Sequence, residues 1–273
     1  MMTLKPVLLE APTDFNIVDT TLQVPYTEDE RKHLMQLFAK VFGEGLEYDD
    51  DVFRLEGMED GKMSMSVVKY SDLLLIDVVA SRMREWMSGT KGDVTAEKLV
   101  NYIANNVAIN DKPLNKYRSN VIAMSVIVTD SEGKVLTTQR SGDVVIGKNI
   151  SSVSTTGTPN LKDFGVEGKF GCAKRKLKAD LNVDISKCTF KYTGVFVGAN
   201  KKQPVVLVNC FYNGDIDEII GKAQLAEDYH KKIKYASVHK LATASMVLTT
   251  GGATEAARYH MYNTVANILG GNY

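Results

Sequence analysis

One stretch, residues 150–183, constrains the fold more than any other part of the chain. It reads ISSVSTTGTPNLKDFGVEGKFGCAKRKLKADLNV, the pattern of a strand, a glycine-containing loop and a helix. The helix is predicted to run from Gly171 to about Leu181. Ala173, Leu177 and Leu181 recur at i, i+4 and i+8, so they form an apolar stripe that faces a core.

A second face of this helix carries Lys176, Ala179 and Asp180, which recur at i, i+3 and i+4 and therefore lie side by side. The loop that precedes the helix can bring its own side chains to the same face. This face is therefore the first candidate for a functional site.

These residues resemble the Nudix box, G-x5-E-x7-R-E-U-x-E-E-x-G-U, in which U is a bulky apolar residue. Seven residues separate Glu167 from Arg175, so E-x7-R is intact. Arg175 is followed by KLKADLNV, which keeps the apolar positions. Gly157 resembles the leading glycine, although nine residues, not five, separate it from Glu167. The resemblance implies structural roles for Gly157 and for Arg175, which would hold the loop in place.

Nudix hydrolases cleave a nucleoside diphosphate linked to another group, using a divalent metal held by glutamates of the box helix. Here the three carboxylate positions are Lys176, Ala179 and Asp180, so their formal charges are plus one, zero and minus one. An ammonium ~5 Å from Mg²⁺ would cost roughly 6 kcal/mol at an effective dielectric constant near 20. The usual Mg²⁺ cluster is therefore predicted to be absent or much weakened.

A weakened metal site would rest on Asp180 and Glu167, which are also the candidate catalytic residues if the protein is active. The alternative is a site rebuilt from Asp163, Glu167, Asp180 or Asp184. The first outcome keeps the fold and loses the site, and the second keeps a rearranged Mg²⁺ centre.

Two further segments are candidates for binding a phosphate. Arg140, in the dipeptide Arg-Ser at the end of a predicted hairpin, either grips a phosphate or forms an ordinary ion pair with a nearby carboxylate. Lys201 and Lys202, in the connection GANKKQP, form either a solvated turn or a cationic lip for a phosphate.

A last acidic position of active relatives falls in the segment AEDYHKKIKYASVHKLA. Asp228 is present there, but the glutamate position falls on Lys231, so a second metal position is basic. The histidines have no partner at metal-ligand spacing and are expected to be isolated. They are His33, His230, His239 and His260.

Composition describes a globular chain with no bulk attraction to nucleic acid or membrane. The 273 residues are 44% hydrophobic and 24% charged, with a formal net charge of zero. The apolar run at 72–80 is short and contains Asp77, so it is not expected to span a bilayer. We expect no signal peptide at the start, and the three cysteines are read as reduced thiols of a cytoplasmic protein.

The first part of the chain is predicted to form an α+β lobe over residues 1–115. Thr27 and Glu30 form a capping box for a helix that ends near Gly43, and Asp60-Gly61 marks the turn of a hairpin over 52–70. Helices are expected over 73–87 and 95–108. The region 52–80, together with Asn182 at the end of the box, is weakly similar to the uridine-diphosphate-sugar-hydrolysing Nudix branch.

The second part, residues 116–273, is predicted to be the Nudix-like domain. Strands are expected over 119–129, 189–198 and 204–213, the last of them central because it is almost wholly apolar. A closing helix is expected over 252–269, and its packed side is predicted to carry Ala253, Ala256, Ala257, Met261, Val265 and Leu269. The fold class is α/β (α+β), a Nudix-type α/β/α sandwich with a mixed sheet.

Two functions compete, and a third is open. The chain either binds a nucleotide, a nucleoside-diphosphate derivative or a protein partner with little or no hydrolysis, or it is a divergent Mg²⁺-dependent hydrolase of such a compound. The third reading is a purely structural role in an assembly. The broken box favours the first, whereas the retained Glu167, Arg175 and Asp180 support the second.

Overall fold

The computed structural model describes residues 6–43, 49–109, 112, 114–142, 148–165, 168–199, 202–250 and 252–270. The chain divides into two compact units. The first comprises residues 1–7, 14–122 and 197–204, and the second comprises residues 8–13, 123–196 and 205–273. The main division of the chain thus falls between residues 122 and 123, whereas the sequence placed a domain boundary between 115 and 116.

Strands occur in both units. Within the described ranges they are β1 (Val7–Leu9), β2 (Asp14–Ile17), β3 (Asp51–Glu59), β4 (Lys62–Lys69), β5 (Ala123–Thr129), β6 (Lys134–Arg140), β7 (Ser151–Ser152), β8 (Thr155–Gly157), β9 (Cys188–Val197), β10 (Pro204–Tyr212) and β11 (Ile233–Lys240).

Helices in the same ranges are α1 (Glu28–Phe42), α2 (Tyr70–Asp72), α3 (Val79–Ser81), α4 (Met83–Gly89), α5 (Val94–Tyr102), α6 (Leu161–Gly165), α7 (Gly171–Leu181), α8 (Asp217–Ala223), α9 (Tyr229–Lys232), α10 (Leu241–Thr250) and α11 (Glu255–Leu269). Two π-helical segments, Leu73–Val78 and Ile103–Ala108, continue α2 and α5. Short 3₁₀ turns cover Gly168–Phe170 and Ile185–Lys187.

The first unit is built on the order β2-β4-β3, with β4 antiparallel to β3 and parallel to β2. Asp60 and Gly61 have φ of 49° and 72° at the hairpin turn, which confirms the turn signal. The capping box of α1 is present, with Thr27 and Glu30 bonded reciprocally, and the left-handed Gly43 ends the helix. The helix predicted over 95–108 is also confirmed, to within a few residues, whereas the one predicted over 73–87 is present but interrupted at Arg82, between α3 and α4.

The second unit is built on a mixed sheet with the order β1-β9-β10-β5-β6-β11. β10 runs parallel to β5, and β6 runs antiparallel to both β5 and β11. The central place of β10 is confirmed. The strand predicted from residue 119 begins only at Ala123, because the backbone at 121–122 pairs with Arg54 and Phe53 inside the first unit.

The strand predicted within 150–158 is divided in two. β7 pairs with β6, and β8 pairs with β5. Ser154 lies between them, where its hydroxyl accepts a hydrogen bond from Val128 N at 2.8 Å and donates one to Leu136 O at 2.5 Å. A buried serine thus bridges β5 and β6 at the point where their pairing ends, which a single regular strand would not do.

Helices cover both faces of this sheet. α7 packs on β5 and β8, whereas α10 and α11 pack on β5, β6 and β7. The two faces are visible in adjacent residues of β8, since Gly157 contacts Lys176 of α7 while Thr156 is paired with Ser125, which contacts His260 of α11. The α/β/α arrangement with a mixed sheet is therefore the one predicted.

The core beneath α10 and α11 differs in detail from the expected one. Ala253, Ala257 and Met261 are buried there, as the closing-helix pattern predicted. Leu269 is 80% exposed, so its predicted place in the core is wrong. α10 and β11 were not assigned from the sequence. None of the helices in the described part of the chain combines the length and the apolar character needed to cross a bilayer.

Candidate functional site

The box helix α7 begins and ends where the sequence predicts. Ala173, Leu177 and Leu181 are fully buried, which confirms the apolar stripe. Asn182 ends the helix in the left-handed conformation, with φ of 53°. Asparagine is the residue that most readily replaces glycine in this conformation, so α7 can end in asparagine without strain.

The second face of α7 carries a buried ion pair. Lys176 Nζ lies 2.5 Å from Asp180 Oδ1, and the two side chains are only 6% and 5% exposed. The other carboxylate oxygen, Asp180 Oδ2, accepts a hydrogen bond from the Thr155 hydroxyl on β8. Both oxygens that could serve as metal ligands are therefore held by protein groups.

A glycine on β8 makes room for this lysine. A Cβ built on Gly157 would lie 2.6 Å from Lys176 Cγ and 3.0 Å from Lys176 Cδ. No side chain fits at that distance unless the lysine moves. Gly157 therefore allows the methylene groups of Lys176 to pack directly against β8.

A second lysine reaches the same carboxylate from α9. Lys232 Nζ lies 3.8 Å from Asp180 Oδ1 and is bonded to Asp228. Asp228 N also donates to Ala179 O at 2.9 Å, which ties α9 to α7. The sequence pointed to Lys231 at this position, but Lys231 is exposed and Lys232 is the residue that meets the cluster. The i, i+4 relation between Asp228 and Lys232 was the available signal.

The pKa values of the two lysines in this cluster are shifted in opposite directions. Burial lowers the pKa of Lys176 to about 8, an effect that the Asp180 carboxylate opposes and the Lys232 cation strengthens. Burial would also lower the pKa of Lys232, but its hydrogen bond to Asp228 and the charge of Asp180 together raise it. Lys232 is therefore the firmly charged cation of the pair, with 42% of its side chain exposed.

Arg175 fixes the loop before the helix. Its Nε and Nη2 donate to the two oxygens of Asp163 at 2.6 and 2.8 Å, and Nη2 also reaches Thr158 O at 3.4 Å. Arg175 therefore contacts both a carboxylate and a backbone carbonyl of the loop. Gly171 adds a close approach, since a Cβ there would lie 1.8 Å from Asp163 O. Arg175, Asp163 and Gly171 together hold the loop against the start of α7.

Arg140 lies at the end of β6, beside the start of β11. Its Nη1 donates to Thr156 Oγ1 at 2.8 Å. Its cross-strand partner is Ile233, the residue after Lys232. Arg140 and Lys232 therefore come from the same end of the β6–β11 pair.

A buried histidine network lies on the opposite face of the sheet. His260 Nδ1 is 2.8 Å from Ser125 Oγ, and His260 Nε2 is 3.0 Å from Asn209 Oδ1. Because Asn209 Oδ1 can only accept, Nε2 carries the proton and Nδ1 accepts from Ser125. Burial lowers the pKa of His260 to about 3. Serine, histidine and asparagine form a chain here, but all three are buried, so the serine is shielded from a substrate. The sequence treated His260 only as a potential metal ligand and did not predict its hydrogen bonds to a serine and an asparagine.

The part of the site that the structure describes does not fit a divalent metal. Among the described residues, no group of three or more histidine, cysteine, aspartate or glutamate side chains could hold one. Asp163 is bonded to Arg175, and Asp180 is bonded to Lys176 and Thr155. Asp184 accepts from Ser186 N at the start of a 3₁₀ turn. Three of the four carboxylates proposed for a rebuilt site are thus committed to other contacts, and the fourth, Glu167, lies outside the described residues.

Comparisons with known proteins give a structural likeness only. No family model matches the sequence, and no curated protein matches it. The DR0079 protein from Deinococcus radiodurans is similar in structure, with 12% identity over 52% of this chain and 81% of that one, and a TM-score of 0.40. A mutT/nudix family protein from Listeria innocua is also similar, with 13% identity over 56% of this chain and 96% of that one, and a TM-score of 0.40.

One of these two structures is a Nudix protein. At TM-scores of 0.40, neither likeness carries an argument about this chain. The α/β/α assignment rests instead on the strand order and the packing of α7, α10 and α11 described above.

Several residues predicted for a Nudix site remain predictions. Glu167 and Lys201 lie outside the described residues. Lys202 belongs to the first unit, where it is 7% exposed and has φ of 52°. The reading of Lys202 as a solvated turn residue is therefore wrong, and its contact with a phosphate stays untested.

Proposed function

We propose that the second unit binds a nucleotide or a nucleoside-diphosphate derivative on the α7 face of its sheet, with little or no hydrolysis. The observation that carries this proposal is the state of Asp180. Its carboxylate, the one acid left at the three box positions, is bonded to Lys176 and Thr155. A divalent ion would need these oxygens as ligands, so Mg²⁺ is not expected to be a cofactor.

The box resemblance supports the nucleotide part of the proposal. The loop-to-helix geometry is retained through Arg175, while the acids that would hold a metal are replaced. A protein that keeps the fold but lacks the metal ligands is better suited to bind a nucleotide than to hydrolyse it. A cytoplasmic location and a protein partner remain additional proposals, which the neutral net charge permits.

The alternative is a divergent Mg²⁺-dependent hydrolase of the same class of compound. One observation favours it, the anchoring of the loop by the bond between Arg175 and Asp163. In that case Glu167 and Asp180 would be the catalytic and metal-binding residues. Lys176 would then have to leave Asp180 during turnover.

A paired binding and activity screen tests the proposal. Purified protein is titrated with nucleoside-diphosphate sugars by calorimetry, and the same compounds are incubated with it in Mg²⁺ and in Mn²⁺. We expect binding of at least one nucleotide derivative and negligible product. Robust turnover by the wild-type protein would establish the hydrolase instead. Absence of binding across the set would remove the nucleotide proposal.

A further inference from the structure

Two ammonium groups converge on one oxygen in the second unit. Lys176 Nζ and Lys232 Nζ lie 2.5 and 3.8 Å from the same atom, Asp180 Oδ1. Like charges repel one another, so each lysine needs a counter-ion: Asp180 neutralises Lys176, and Asp228 neutralises Lys232. A further anion can therefore bind Lys232 by competing with Asp228.

The charges of this cluster form an alternating chain. Asp228, Lys232, Asp180 and Lys176 follow one another in contact, and their formal charges sum to zero. The alternating chain ends in Asp228, and two further cations come from the same segments, because Lys231 is exposed beside Lys232 and Arg140 is the cross-strand partner of Ile233. A phosphate that displaces Asp228 from Lys232 approaches these charges as well.

We propose that Lys232 binds a phosphate of the ligand directly and that Lys176 is a positioning residue which takes the place of the divalent ion. This inference rests on the proposed function, and it specifies that the diphosphate is bound without metal. Lys176 is 94% shielded from solvent by its surroundings, being only 6% exposed, so it acts through Asp180 and does not touch the ligand.

The chemistry of the lysine head group supports this division of roles. An ammonium has three N–H donors and no acceptor. Lys232 uses contacts with Asp228 and Asp180, which leaves donor capacity for a phosphate oxygen. Lys176 neutralises Asp180, so the carboxylate does not repel the incoming anion. Asp228 competes with the phosphate for Lys232 and sets the strength of binding.

Calorimetric titration with inorganic diphosphate tests the inference. The full chain is titrated in EDTA and again in excess Mg²⁺, as the wild type and as K232M, K232R, K176M, D228N and K178M. Lys178 is exposed on α7 and serves as the matched control. We expect wild-type binding in EDTA, unchanged by Mg²⁺ beyond the competition of the free ion for diphosphate.

The variants separate the roles of the two lysines. K232M should weaken binding at least tenfold, K232R should retain most of it, K178M should not change it, and D228N should tighten it a few-fold. K176M should weaken binding in EDTA and regain part of the affinity when Mg²⁺ is added, because Asp180 Oδ1 and the diphosphate oxygens can then share the ion. A purely structural role for Lys176 would not create this Mg²⁺ dependence.

The contrary results are distinct. Binding of diphosphate only in Mg²⁺ would overturn the metal-free mode and leave the proposed function standing. Wild-type affinity in K232M would overturn the assignment of Lys232, and K176M without Mg²⁺ dependence would overturn that of Lys176. Failure to bind both diphosphate and the nucleoside-diphosphate sugars, in either buffer, would remove the inference and the proposed function together.

Discussion

Two buried polar networks lie on opposite faces of the same sheet, and they differ in charge and in access. The network under α11 is neutral, closed and fully buried, with Ser125, His260 and Asn209 satisfying one another. The network on α7 is charged, and one of its members, Lys232, is 42% exposed. A closed neutral network specifies packing, whereas a charged network with an open end can exchange one of its partners for a ligand.

The largest expected effect comes from breaking the charged network at its centre. Asp180→Leu leaves the buried Lys176 ammonium without its carboxylate, and we expect the free energy of unfolding to fall by about 3–5 kcal/mol. The double variant K176M/D180L removes both charges and should recover most of this loss. Chemical denaturation measures both.

A matched control is the exposed pair Arg82–Glu85 on α4, where E85A should change stability little. If D180L is as mild as E85A, or if the double variant is no better than D180L, the buried pair does not have the energetic role assigned here.

The stability that the neutral network contributes should decrease in mild acid, because this network contains His260. The four residues of the charged network include no histidine. Because the pKa of His260 falls from 6.5 to about 3 in the folded protein, the unfolded chain takes up a proton below pH 6.5 that the folded chain cannot. The contribution of neutral His260 to the free energy of unfolding is therefore complete above pH 6.5. It declines as pH falls, by roughly 2 kcal/mol at pH 5.

His260→Gln isolates this contribution from other titrating groups. The difference in the free energy of unfolding between the wild type and H260Q should shrink by that amount between about pH 7 and pH 5, as measured by urea denaturation. A difference that is constant with pH would show that His260 is not held neutral by burial.

A smaller effect is expected from the glycine beneath Lys176. Gly157→Ala places a methyl 2.6 Å from Lys176 Cγ, and moving the flexible lysine stem should cost about 1 kcal/mol. Gly221→Ala in α8, where nothing lies within 4 Å of the new Cβ, should instead stabilise by about 0.5–1 kcal/mol. Thermal unfolding of both variants checks the contrast. Equal effects would mean that Gly157 is not needed for Lys176 to pack.

Local patterns predicted much of the fold. The capping box at Thr27, the turn at Asp60-Gly61 and the apolar stripe of α7 each depend on residues close in sequence, and each is confirmed. The split of the strand at Ser154 was not predictable in this way. It depends on hydrogen bonds to Val128 and Leu136, which are distant in sequence.

The candidate site divides along the same line. The basic and acidic positions of α7 were readable from the spacing of Lys176 and Asp180. The sequence pattern assigned the position of Lys232 to its neighbour Lys231. The spacing of a motif locates such a position only to within a residue when the segment between its parts varies in length. The partners of His260 come from β5 and β10, so only the folded sheet brings them together.

Titration with Mn²⁺, followed by the loss of the free-ion signal in electron paramagnetic resonance, tests the central claim most directly. The claim is that Lys176 occupies the place of the metal by holding Asp180. The wild type should leave Mn²⁺ free, whereas K176E/A179E, which restores two acids beside Asp180, should bind it. Wild-type binding as tight as that of the variant would contradict the account and point to a working metal site.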